Sequence, residues 1–172
     1  IKQAILERDA GAIQAQIVAQ DRAGAGYIDL NAGTGTGGEA KEVEDLCWLI
    51  DLALQHTEKR LSLDSANPLV IRKAAEYLDN RRPWMINSIK QDEHILQDLL
   101  PLAAQHQVPV IALAMNAEGI PERPEERIAV CAEICKAAES VNVPLSSLYF
   151  DPLIMPLSSN YRYGKIALDT LR

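Results

Sequence analysis

The stretch YIDLNAGTGTGGE, Tyr27 to Glu39, decides how the rest of the chain is read. A short apolar run ends at a polar residue, and four glycines then fall between 33 and 38. Gly33, Gly35 and Gly38 satisfy G-x-G-x-x-G, the spacing that lets a backbone approach a pyrophosphate. Asp64, 26 residues past Gly38, stands near where a ribose-binding acid would be expected. The stretch is therefore either the first turn of a dinucleotide fold or one strand-to-helix turn among several of the same kind.

The pattern on either side repeats. Residues 3–24 carry apolar residues at helical spacing (Ile5, Leu6, Ala12, Ile13, Ile17, Val18), and 39–56 do so again through Val43, Leu46, Cys47, Ile50 and Leu54. Leu61 to Leu63 is a strand ending at Asp64. Asn67-Pro68 then starts a helix running to Leu78, a cap followed by proline at the first turn. Trp84 to Ile86 is a strand ending at Asn87, followed by a helix over 92–106. An apolar strand over 108–115 leads through the loop 116–124 into a helix ending near Val141. Leu148 to Phe150 is a strand ending at Asp151-Pro152, and a last helix begins at 162.

Five strands thus alternate with helices, ending at 31, 64, 87, 115 and 151, in steps of 23 to 36 residues that suit one βα unit each. Apolar strands of this kind are parallel and covered on both faces. A doubly wound sheet gathers its ligand contacts at one switch point. Here an amide or carboxylate ends four separate strands: Asn31, Asp64, Asn87 and Asp151. In a (β/α)₈ barrel all such positions face one mouth. Each residue alone also has a structural reading, as a helix cap or a turn residue. Four in register favour the barrel over the dinucleotide fold.

At 172 residues the chain has material for one substantial core. It is 48% hydrophobic and 24% charged, ordinary for a globular protein. A formal net charge of −7 argues against a nucleic-acid or anionic-membrane partner. Among three cysteines, Cys131 and Cys135 share a helix face, as half of a metal site or as small core residues. Free thiols without a disulfide pattern point to a reducing, cytoplasmic setting, and no run of 18 apolar residues occurs. The chain starts at Ile1 inside a helical pattern and stops at Arg172 inside another, so both ends read as cut.

The strand ends offer carboxylates and amides, with no histidine base, no strand lysine and no metal triad. That set suits a neutral heterocycle rich in N–H donors, such as a pterin. Two carboxylates accept its ring and amino hydrogens in charge-assisted bonds, and an amide both donates and accepts along one edge.

The ordered runs DLNAG (Asp29 to Gly33), LSLDSANP (Leu61 to Pro68), INS (Ile86 to Ser88), VIALAMNAEGIP (Val110 to Pro121) and LYFDPLIMPL (Leu148 to Leu157) resemble the pterin-binding methyltransferases. These enzymes move a methyl group between tetrahydrofolate and a corrinoid protein. Dihydropteroate synthase shares their barrel, and the folate domain of cobalamin-dependent methionine synthase is a nearer relative. This chain has INS where the synthase has I-N-D, and Asp-Pro-Leu-Ile-Met where the synthase has a glycine-rich run ending in lysine.

The resemblance implies an α/β fold: residues 1–172 as one pterin-binding domain covering strands two to six of a (β/α)₈ TIM barrel. Strands one, seven and eight are missing from these residues, and with the seventh an asparagine that contacts N5. About 250 residues are typical of such a barrel. Asp64, Asn87 and Asp151 hold the pterin, Asn31 and Met115 line the same mouth, and the loop 33–38 lies over it. Asn116 stands where many relatives have aspartate. Asp64 and Asn87 are expected to form the catalytic polar network, with Asp151 for binding. Tetrahydrofolate or 5-methyltetrahydrofolate is then the substrate, cobalamin arrives on a partner protein, and the chain forms a homodimer. Three other classes stay open: a dihydropteroate synthase-like enzyme, an NAD-binding oxidoreductase using Gly33 to Gly38, and a non-catalytic folate-binding fragment.

Overall fold

In the computed structural model, which describes residues 1–158 and 160–172, a helical pair precedes five βα units. The elements are α1 (Lys2–Leu6), α2 (Ala10–Arg22), β1 (Tyr27–Asn31), α3 (Gly38–His56), β2 (Arg60–Asp64), α4 (Pro68–Leu78), β3 (Trp84–Gln91), α5 (Glu93–His106), β4 (Val110–Asn116), α6 (Pro124–Ser140), β5 (Leu148–Asp151) and α7 (Arg162–Thr170). The strands follow one another in chain order in a single sheet. The pairings β1–β2, β2–β3 and β4–β5 are parallel. A doubly wound sheet reverses its strand order at the switch point; this one does not. The residues group into two compact units, Ile1–Asn87 and Ser88–Arg172.

In the first unit, side chains alternate across the strands as the pleat requires. Ile28 and Leu30 of β1 are buried while Asp29 and Asn31 are exposed. α3 packs on β1 and lies against both α2 and α4, and α4 packs on β2. Leu46, Ile50, Ala53, Leu61, Leu63, Val70, Ile71 and Leu78 are fully buried. Each such leucine or isoleucine contributes about 1.5–3 kcal/mol relative to leaving it in water. α4 starts as the sequence predicts: Asn67 Oδ1 accepts from the Leu69 amide at 2.9 Å, and Pro68 occupies the first turn.

The single helix expected over 3–24 is two helices. Asp9 caps α2 by accepting from the Ala12 amide at 3.0 Å, and Arg8 before it adopts a left-handed φ of 54°. The break is held from a distance. The Arg8 guanidinium lies 2.6 Å from Glu44 and 2.7 Å from Asp45, and stacks over Trp48 at 4.8 Å. Asp45 is only 1% exposed and also pairs with Lys41 at 2.7 Å. Releasing Arg8 would therefore strip one of two partners from a buried carboxylate, a costly change.

In the second unit α6 packs on β4 and against α5 and α7. Val110, Ala112, Ala114, Leu99, Leu100, Ile134 and Ala138 form its core. Pro124 opens α6 with Glu125 and Glu126 in the first turn, where acidic charge complements the helix dipole. β5 buries only Leu148. Two strands differ in extent from expectation: β3 runs on past Asn87 to Gln91, and β4 starts at Val110 and ends at Asn116. Cys131 and Cys135 are half-buried free thiols, pushed upward in pKa chiefly by burial. No group of three or more His, Cys, Asp or Glu among the described residues could hold a metal ion. No helix among the described residues is long and apolar enough to cross a membrane.

Candidate pterin site

Parallel register brings three expected residues into one row. Asn31 on β1 stands opposite Asp64 on β2, and Asp64 opposite Asn87 on β3. The next row on the same face begins Asp29, Ser62 and Met85. The two rows are stitched together. Asn31 Nδ2 donates to Asp64 Oδ2 at 2.7 Å, and Asn87 Nδ2 donates to Asp29 Oδ1 at 3.0 Å. Asn31 also ends its own strand, its Oδ1 accepting from the Gly33 amide at 2.8 Å. Both amides thus spend donors on carboxylates and hold those carboxylates in place.

Burial pushes the Asp64 carboxyl above the ordinary carboxylate range. The Asn31 hydrogen bond opposes the shift, while Asp29 and Glu42 add to it through their charge. Asp29 also shares a hydrogen bond with Asp64 that favours the protonated form. Burial and neighbouring carboxylates therefore act together to favour the protonated form of Asp64. Ser62, between them in the sheet and 3% exposed, has a hydroxyl with no hydrogen-bond partner among the described residues.

The glycines now have a local account. Gly35, Gly37 and Gly38 have φ values of 77°, 84° and 73°, a region open to glycine and strained for other residues. A Cβ on Gly37 would meet the Lys41 side chain at 2.7 Å. This turn starts α3 so that its first residues reach the turn after β2. Ser65 Oγ donates to Glu42 at 2.6 Å, and Asn67 Nδ2 donates to Glu39 at 2.7 Å. Two α3 carboxylates therefore brace the segment that follows Asp64.

In the second unit, Asp151 ends β5 and is exposed. It stands opposite Leu113, and Met115 lies two residues further along the same face of β4. Asp151 Oδ1 accepts from the Leu153 amide at 2.8 Å, and Leu153 has a left-handed φ of 58°. Asn116 is a loop-former: its Oδ1 accepts from the amides of Glu118 and Gly119, each at 3.0 Å. Open hollows of about 620 and 710 Å³ flank this loop.

Sequence reading missed Asp29, Glu39 and Glu42. Asp29 had a usable signal, since the two-residue strand period places it on the face of Asn31. The two glutamates had none, because their partners are brought together only by packing.

The chain matches the family described as "Pterin binding enzyme" over residues 2–171. It is 30% identical over 161 residues to a methylcorrinoid:tetrahydrofolate methyltransferase from Eubacterium limosum, across 92% of this chain and 58% of that protein. It also superposes on the crystal structure of 7,8-dihydropteroate synthase from Vibrio fischeri ES114 with a TM-score of 0.70. The sequence identity there is 20%, over 89% of this chain and 60% of the other, so this likeness speaks for the fold alone. The chain spans less than two thirds of the length of either relative. With strand order, parallel register and family match in agreement, the chain belongs to the pterin-binding enzyme family, and its consecutive βα units form part of a (β/α)₈ barrel.

Proposed function

We propose that this chain is the pterin-holding part of a methyltransferase that moves a methyl group between N5 of tetrahydrofolate and the cobalt of a corrinoid protein. The observation that carries the reading is the strand-end row Asn31, Asp64 and Asn87, with Asp29 bonded into it. Its donor set fits the folate substrate: carboxylate oxygens accept from the N–H edge of a pterin, and amides complete that edge. Asp151 supplies a further carboxylate for the ring, and Met115 an apolar wall. The corrinoid partner follows the printed name of the relative from Eubacterium limosum. Residues 1–172 acting as one domain, and a homodimer, follow from the resemblance alone.

A neutral tertiary amine is a poor leaving group until N5 gains a proton or a hydrogen bond. Asp64, pushed up in pKa chiefly by burial, suits a site that holds a proton next to the ring. Carboxylates there favour positive charge on the pterin more in the transition state than in the ground state, which is what accelerates transfer. Asn31 and Asn87 keep the two carboxyls in register. When bound, the corrinoid supplies the cobalt that exchanges the methyl group, and no residue of this chain is assigned to it.

The test is a calorimetric titration of the intact protein with methyltetrahydrofolate, with NADH as control. Folate binding without NADH binding is the expected result. NADH binding alone would return Gly33 to Gly38 to the dinucleotide reading and overturn this one.

A further inference from the structure

Arg127 is among the largest fully buried side chains, 1% exposed on α6, and no described carboxylate pairs with it. Among the described residues its guanidinium donates only to backbone carbonyls. Nε donates to Pro121 at 2.8 Å; Nη1 donates to Pro152 at 2.5 Å and to Leu153 at 2.8 Å. Pro121 lies in the loop after β4, whereas Pro152 and Leu153 directly follow Asp151. Burying a cation without a counter-ion is expensive, and an apolar side chain of similar volume would fill the space at lower cost. Burial in fact lowers the Arg127 pKa. The cation must therefore do something that packing alone does not.

What it touches indicates the role. Leu153 carries a Cβ in the left-handed region, a conformation that costs free energy unless neighbours enforce it. That conformation directs the Leu153 amide at Asp151 Oδ1, which fixes the carboxylate rotamer and leaves the other oxygen for a ligand. The fork geometry of a guanidinium reaches three acceptors at set angles, which an ammonium does not reproduce.

We propose that Arg127 is a positioning residue for ligand binding: by gripping the Pro152 and Leu153 carbonyls it sets the turn that aims Asp151 at the substrate ring. The proposal rests on the reading of Asp151 as a pterin ligand, and one experiment separates the two. Methyltetrahydrofolate affinity is measured by calorimetry on the intact protein for Arg127→Lys, Asp151→Asn and the double variant. Arg127→Lys should weaken binding about tenfold, and Asp151→Asn by at least as much. The double variant should bind no more weakly than Asp151→Asn alone, because Arg127 acts through Asp151. Effects that multiply, or an Arg127→Lys protein that binds like wild type, would overturn the proposal. If Asp151→Asn alone leaves the affinity unchanged, the Asp151 reading fails first and takes the proposal with it. Should Arg127→Lys not fold, the Arg127 Nε–H resonance of the wild-type protein is followed by NMR during the folate titration. It should shift on binding in wild type and stay still in Asp151→Asn; a resonance unmoved in wild type overturns the proposal.

Discussion

At the ends of β1 to β3 the polar side chains hold one another. Asn31 donates to Asp64, Asn87 donates to Asp29, and the segment after Asp64 is tied to Glu39 and Glu42. At the end of β5 the Asp151 carboxylate is held through the backbone, by a strained residue whose carbonyl is gripped by a buried arginine. In the first arrangement burial, with the charges of Asp29 and Glu42, raises the Asp64 pKa. The second couples geometry, since Asp151 is aimed by a turn. Defects in the first should change affinity together with pH dependence. Defects in the second should change affinity through the geometry of the turn.

The largest effect should come from Asp64→Ala. It removes an acceptor for the ring and leaves the Asn31 amide and ligand donors unpaired, so methyltetrahydrofolate should bind about a hundredfold more weakly. A loss smaller than fivefold by calorimetry would move the site away from the β1–β3 row.

Asp151→Ala should weaken methyltetrahydrofolate binding by tens of fold. A loss smaller than about threefold by calorimetry would remove Asp151 from the site.

A third expectation concerns stability. Because the Asp64 pKa is raised in the folded chain, its contribution is fully present below the ordinary carboxylate range. It is lost as pH rises through the raised value. Denaturant unfolding of wild type against Asp64→Asn should show Asn gaining relative stability from acid toward neutral pH. A difference that does not vary with pH would break the assignment of a raised value to Asp64.

The smallest effect is expected at Ser62→Ala. Its hydroxyl is buried and unpartnered, so removing it should shift stability by less than about 1 kcal/mol, in either direction. A larger loss would reveal a partner for Ser62 in solution and enlarge the network.

Much of the barrel wall was legible before any coordinates. The cap Asn67-Pro68, the strand ends at 31, 64 and 151, and the row Asn31, Asp64 and Asn87 follow from short-range signals: capping chemistry, side-chain period and regular unit spacing. These depend on a few neighbouring residues, so one sequence suffices to see them. Tertiary structure alone decided the break at Arg8, the bond from Asn87 to Asp29 across 58 residues of chain, and the burial of Arg127 under two loops. In each case a polar group finds its partner only after distant segments pack. An isolated arginine or aspartate carries the same local propensity whether it ends in solvent or in a core, and the packing of β1 to β3 and of α6 on β4 makes that choice.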